Sequence, residues 1–333
     1  MHSTAMRVGP CRWLVLVLVA QLCGCGHPPT PAPQPAAIKT FVILAPQVTP
    51  FWEAVKAGMQ HAAAAPELAS GGYQAVLETG DGTVKAQIAQ LQRLADRTDL
   101  AGVAISAVEA ASESLADEMK KIGAKGIPVI TIDSDLDPKK FRDCRQAYVG
   151  SDNRKLGTSL AEAATVLSAG GGYLMFTGNP QAQRSIDRIQ GFAEGGRDRW
   201  KCLRTVEDRF DLVLVRLQVR EAVRLFSNKL SVVVALESGP ALAAAAAVRE
   251  LGSRNDLKVL AGDSELKTID AVAQDMLDAW VLQSPYEMGD SAVALLHALH
   301  TKNEPHVQRL LPRWGQPDGD LLYVPFRLVT AAK

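Results

Sequence analysis

Apolar runs of strand length alternate with segments of helical period along most of this chain, and that alternation constrains the fold more than any single motif. Residues 40–45 form a continuous apolar run, and Phe51, Val55, Met59 and Ala62 then fall on one helical stripe. The unit repeats. Strands are predicted at 73–79, 100–106 and 127–132, with helices between them, one striped by Val84, Ile88, Leu91 and Ala95 and another spanning 112–122. A second series begins at 147–150 and continues at 172–177, 203–206, 231–236 and 257–261, its first helix striped by Leu156, Leu160, Ala164 and Leu167. A late strand at 279–283, a helix carrying Met288, Ala292, Leu295 and Leu299, and a closing strand at 321–329 complete the pattern. Strands apolar on both faces, joined by helical crossovers, demand parallel sheets covered on both sides. The expected class is therefore α/β, with two open, doubly wound sheets in succession.

The first 37 residues do not fit this pattern. Arg7 and Arg12 precede the apolar run 13–20, which is too short to span a bilayer, and Leu22-Cys23-Gly24-Cys25 follows with the small residues of a cleavage site. This reads as a secretory leader. Leu-Cys-Gly-Cys resembles the bacterial lipobox, which implies lipidation of Cys25 and cleavage just before it. Residues 26–37, with five prolines and no aromatic, form a polyproline-like tether. The protein is expected to act in the periplasm or at the cell surface, anchored by lipid.

Charge and cysteines narrow the function further. Lys plus Arg and Asp plus Glu both number 36, and no basic cluster stands out, so nucleic acid is not an expected partner. Cys11 and Cys23 would leave with the leader. Cys144 and Cys202 remain, and an exported location permits but does not require a bridge between them. Neither lies in a CxxC spacing, and no metal or cofactor is expected. Gly170-Gly171-Gly172 precedes a strand instead of following one, so it is a turn and not a phosphate loop.

Polar residues gather at the carboxyl ends of separate predicted strands. Asp133 follows Ile127-Pro128-Val129-Ile130-Thr131-Ile132, Glu237 follows Val232-Val233-Val234-Ala235-Leu236, Asp263 follows Val259-Leu260-Ala261-Gly262, and Gln283 follows Trp280-Val281-Leu282. In open α/β sheets ligands bind at that edge. Any one of these acids could merely cap a turn, but four strand ends together describe a site. Phe51 and Trp52 open the first helix, where Phe51 shares the inward stripe and Trp52 is freer to face a cleft. Arg188 contributes a donor fork near the start of another helix.

At this point the residues resemble a family, the type I periplasmic binding proteins of the ribose and galactose branch. Thr49-Pro50-Phe51-Trp52, Ile127-Pro128-Val129-Ile130-Thr131-Ile132-Asp133, Gly150-Ser151-Asp152-Asn153, Arg188-Ile189-Gln190-Gly191-Phe192, Ala261-Gly262-Asp263 and Gln283-Ser284-Pro285 are similar to the family's segments, in the same order. The resemblance implies two lobes joined by a hinge, with residues 38–150 plus 284–312 in the first and 151–283 plus 313–333 in the second. It implies hinge crossings near Ser151, Gln283 and Leu310. It also implies a ligand cleft lined by Thr49, Phe51, Trp52, Asp133, Ser134, Arg188, Phe210, Glu237, Asp263 and Gln283. Two positions depart from the family pattern: Asp-Ser-Asp at 133–135 replaces aspartate followed by arginine, and Glu237 stands where many relatives carry asparagine. With Asp133, Asp135, Glu237 and Asp263 set against Arg188, a neutral or amine-bearing sugar or polyol is expected and an anionic one is not. The implied role is that of a monomeric, non-enzymatic receptor delivering its ligand to a membrane ABC permease. A sensor for a membrane signalling partner is the alternative, and a glycoside-processing enzyme the weaker rival.

Overall fold

A computed structural model describes residues 38–226, 228–263 and 274–330. The expected leader, the Cys25 lipidation site and the proline tether lie outside the described residues. Two six-stranded sheets organise the rest. The first is built from β1 (Lys39–Ala45), β2 (Tyr73–Thr79), β3 (Leu100–Ile105), β4 (Val129–Ile132) and β5 (Ala147–Gly150), in the order β2-β1-β3-β4-β5. The second repeats this order with β6 (Gly171–Thr177), β7 (Trp200–Glu207), β8 (Leu230–Ala235), β9 (Lys258–Ala261) and β10 (Ala279–Leu282), as β7-β6-β8-β9-β10. Each sheet gains a sixth strand from the end of the chain. β11 (Leu321–Tyr323) runs parallel to β5, and β12 (Arg327–Thr330) runs antiparallel to β10.

The closing segment corrects two expectations. The run 321–329 is two strands in different sheets, because Val324-Pro325-Phe326 breaks it and proline cannot donate to a ladder. Residues 313–323, assigned from sequence to the second lobe, run up to and through β11 of the first sheet. The third crossing therefore lies at 324–326 and not near Leu310, while the other two fall at Ser151-Asp152 and Gln283-Ser284.

Helices cover both faces of each sheet. In the first lobe these are α1 (Pro50–Ala63), α2 (Pro66–Ser70), α3 (Val84–Ala95), α4 (Glu113–Ala124) and α5 (Pro138–Phe141). The second lobe holds α6 (Asn153–Leu167), α7 (Gln183–Gly196), α8 (Leu212–Phe226) and α9 (Ser238–Glu250). After β10 the chain returns to the first lobe as α10 (Pro285–His300) and α11 (Glu304–Leu310), whose Met288, Ala292, Leu296 and Val307 join the core formed by Phe41, Ile43, Val55 and Met59.

One packing device recurs and fixes where the site can form. Helices α6 and α7 cross at Gly157 and Gly191: a Cβ on Gly157 would sit 2.1 Å from the Arg188 carbonyl oxygen, and one on Gly191 would sit 2.0 Å from that of Arg154. Glycine is needed at such a backbone-to-backbone approach. The close crossing holds the first turns of α7 against the strand ends of the second sheet, and Gly58 of α1 and Gly289 of α10 do the same in the first lobe.

Candidate ligand cleft between the lobes

At the carboxyl ends of both sheets lies a cavity of about 320 Å³, walled by side chains from the two lobes. Nine of the ten sequence-predicted residues line it: Thr49, Phe51, Trp52, Asp133, Arg188, Phe210, Glu237, Asp263 and Gln283. Ser134 does not. It is fully buried behind the wall, because the chain kinks tightly there, with Asp133 at φ 63° and the Ser134 N–H donating to the Ile132 carbonyl at 2.7 Å.

On the first lobe, Thr49 caps α1, accepting from the Trp52 N–H at 3.4 Å, and Pro50 occupies the first helical turn. This start presents Phe51 and Trp52 together, edge to face at 5.3 Å between ring centroids. Both rings are buried in the lobe's core and both reach the cavity, so the division between a core Phe51 and a cleft-facing Trp52 does not hold. Asp133 ends β4 in the left-handed region that aspartate tolerates better than most residues. Its carboxylate accepts from the Ser106 hydroxyl at 3.3 Å and faces Arg184 of the opposite lobe at 3.5 Å.

Across the cleft, Arg188 is almost wholly buried and makes its bonds within the protein. Nε donates to Asn153 Oδ1 at 2.8 Å, Nη1 to the carbonyls of Leu236 at 3.0 Å and Gly262 at 3.4 Å, and Nη2 to Gln283 Oε1 at 3.3 Å. Arg188 thus ties the ends of β8, β9 and β10 to the start of α6. Gln283 Nε2 in turn donates to Asp263 Oδ1 at 2.9 Å, and the Trp280 indole donates to the Asp263 carbonyl. Phe210 follows β7 at φ 60°, held by its N–H bond to Asp208 Oδ1, and its ring lies over Gly178, where any Cβ would meet it at 2.5 Å.

Glu237 ends β8 and accepts from the Gly178 N–H at 3.1 Å through Oε2. Among the described residues its other oxygen has no partner, and neither has the hydroxyl of its neighbour Ser238, which also lines the cavity. Burial pushes the Glu237 carboxyl up to about 7, against the opposing pull of Arg184.

The charge count differs from the sequence expectation. Asp135 does not face this cavity: it accepts from Thr131 and forms a buried pair with Arg145, 2.6 Å at its shortest. Arg184, which sequence reasoning missed, adds a second cation. It sits one turn before Arg188 on the same helix face, a spacing that could have revealed it. Gln47, Leu212 and Ser238 were missed as well. Among the described residues no group of three or more His, Cys, Asp or Glu side chains could hold a metal ion. Cys144 and Cys202 are both free, the first buried in the first lobe and the second exposed on β7.

A strand-end cavity between two lobes of repeated topology is paralleled in known proteins. The periplasmic binding protein domain matches residues 40–304. The chain belongs to this family. No curated sequence matches it. Among solved structures, this periplasmic binding protein is similar to an ABC transporter solute-binding protein from Burkholderia graminis C4D1M in complex with D-arabinose. The two share 25% identity at a TM-score of 0.74, covering 88% of this chain and 95% of that one. A solute-binding protein from Bacillus halodurans C-125 with bound myo-inositol shares 20% identity at a TM-score of 0.73, covering 88% and 94%. The XylFII–LytSN complex gives 19% identity at a TM-score of 0.70, covering 89% and 98%.

Proposed function

We propose that this protein captures a small neutral sugar or polyol between its lobes outside the cytoplasm and delivers it to an ABC permease, held at the membrane by lipid on Cys25. The observation that carries the reading is the composition of the cavity wall. Aromatic faces at Phe51, Trp52 and Phe210 suit the C–H faces of a sugar ring, while Asp133, Glu237 and Asp263 accept from hydroxyls and Arg184 and Gln283 donate to them. D-arabinose and myo-inositol in the structural neighbours are of this chemical class. The two arginines already face acceptors of the protein itself, so a phosphate or carboxylate on the ligand would enter beside three acidic side chains with no unmatched cation among the described lining residues to receive it.

The lobes touch across the mouth of the cleft. The Ala110 N–H donates to the Gln181 carbonyl at 2.9 Å, and Asn179 Nδ2 donates to the Val108 carbonyl at 2.7 Å. A ligand bridging Asp133 and Asp263 adds to these contacts only when the lobes are together, and so favours closure by differential contact. Closure would be the state a permease recognises. The family is one of solute binders, and binding without chemical change is the role assigned here, by a protein acting as a monomer. A thermal-shift screen against pentoses, hexoses, deoxysugars and polyols tests it: a true ligand raises the melting temperature with concentration, and a flat response to every member sinks the proposal.

One structural neighbour, XylFII, is seen in complex with a second protein, LytSN, and a second reading of this chain is that it too docks on a protein partner, reporting its loaded state to a membrane signalling protein. Pull-down of the closed, ligand-bound protein against candidate permease and sensor domains separates the two.

A further inference from the structure

A second cavity, of about 230 Å³, lies between the lobes beside the first and third crossings, and it is separate from the sugar cleft except for the shared wall of Arg184. Tyr148 and Tyr323 line it from the first lobe, and Ser151, Asp152 and Asp187 from the hinge and the second lobe.

The charges in this wall are unevenly matched. Arg142 pairs with Asp318 and Asp320, Arg145 with Asp135 and Asp320, and Arg154 with Glu194, while Arg184 faces Asp133. Each cation is satisfied. Two carboxylates are left over, since among the described residues neither Asp152 nor Asp187 has a cation within ion-pair distance. Asp152 only caps α6 through the Lys155 N–H at 3.0 Å, and Asp187 accepts only from Gln183 Nε2 at 2.9 Å. The two tyrosine rings line the same space, edge to face, their centroids 6.2 Å apart. Burial, and then the carboxylates of Asp152, Asp187 and Asp318, push the Tyr323 phenol up to about 12. Independently of these charges, Ser151 is 1% exposed and its hydroxyl has no partner among the described residues, although the residue lines the cavity. A buried hydroxyl left unsatisfied calls for an occupant that can bond to it.

The wall also carries Arg142, Arg145, Arg154 and Arg184, but each is engaged by a carboxylate of its own, so the groups left to meet an occupant are Asp152, Asp187, two aromatic faces and the Ser151 hydroxyl, a set that suits an ammonium group. An anion would meet Asp152 and Asp187, and an apolar molecule would leave Ser151 unbonded. The volume falls below that of pockets for drug-sized ligands, so the occupant is small. We propose that this hinge-side cavity binds a small primary amine, of the size of ethanolamine or putrescine, and that its occupancy favours the closed receptor. The second half rests on the two-lobe closure described above: the walls come from both lobes, so the bound amine touches both only when they are together, and by linkage it tightens sugar binding as much as sugar tightens its own.

The test is calorimetric titration of the folded protein, without sugar, with ethanolamine, with putrescine, and with butanediol as putrescine's uncharged counterpart. The amines bind and the diol does not. Asp187→Asn and Tyr323→Ala, neither of which lines the sugar cleft, each weaken amine binding about tenfold, the scale of one lost charge or cation–π contact. If Tyr323→Ala fails to fold, Asp187→Asn, at a part-buried position, decides alone. Absence of amine binding, or binding unchanged in these variants, overturns the site even where a sugar is bound. Amine binding that leaves the affinity of an identified sugar unchanged overturns the coupling and spares the site. Amine binding that persists when no sugar binds at all leaves the site standing and removes only the transport reading.

Discussion

Replacing Arg188 by methionine removes a side chain that binds three strand ends to each other. Methionine fills most of the volume but donates nothing, so Asn153 Oδ1 and the carbonyls of Leu236 and Gly262 lose the donor that reaches each of them in the folded protein. The bonds at 2.8 and 3.0 Å are charge-assisted and buried, each of a kind worth about 1.5–3 kcal/mol, while the longer contacts at 3.3 and 3.4 Å add little. Against this, the variant no longer keeps a guanidinium out of water, which returns part of the loss. The net expectation is a destabilisation of about 4 kcal/mol. Urea unfolding followed by tryptophan fluorescence measures it, with Arg154→Met as the comparison, because the exposed Arg154–Glu194 pair is worth less than about 1 kcal/mol. A loss for Arg188→Met no larger than that of Arg154→Met would refute the view that Arg188 organises the second lobe's strand ends.

Glu237 supplies a pH dependence: its carboxyl sits near 7 when folded against an ordinary 4.5, so the folded state holds a proton that the unfolded chain has released. Stability should fall by about 3 kcal/mol as pH rises from about 4.5 to about 7 and then level, and Glu237→Gln should remove that part of the slope in urea midpoints taken across the range. Asp208, raised from 3.8 to about 6 by burial, contributes a comparable slope of the same sign, between about pH 4 and 6, that survives in the variant. Gly157→Ala should destabilise by about 2–3 kcal/mol in the same assay although alanine is the better helix former, because its Cβ meets the Arg188 carbonyl and α6 must part from α7. A thiol reagent under native conditions should modify Cys202 and spare Cys144, whose thiol burial pushes up to about 12, and denaturant should expose the second.

The sheets were legible because the central crossover strands β1, β3, β4 and β8 are apolar on both faces, a pattern that few other folds require, while the outer strands β2 and β7 carry polar, part-exposed residues. The strand-end residues followed from topology: once β4, β8 and β9 were placed, Asp133, Glu237 and Asp263 had to emerge at the same edge. What the sequence hid was which side chains are already spoken for. Asp135 reads as a cleft carboxylate until Arg145, ten residues on, is seen to fold back onto it from just before the start of β5. Ser134 was misplaced because regular alternation fails where Asp133 turns into the left-handed region. Arg184 was overlooked because a lone arginine on a helix defaults to the surface, and only the close α6–α7 crossing turns that face inward. The division of residues 313–323 failed for a local reason, since Pro325 marked the break between β11 and β12 and the apolar run around it was read through.

Calorimetric titration of a neutral sugar and polyol panel, repeated on Asp263→Asn, addresses the central claim most directly. One neutral member should bind with one-to-one stoichiometry, and the variant should weaken it about tenfold or more, the scale of a charge-assisted hydrogen bond. Failure of every sugar and polyol to bind, or tighter binding of a phosphorylated or carboxylated sugar than of its neutral parent, would contradict the account.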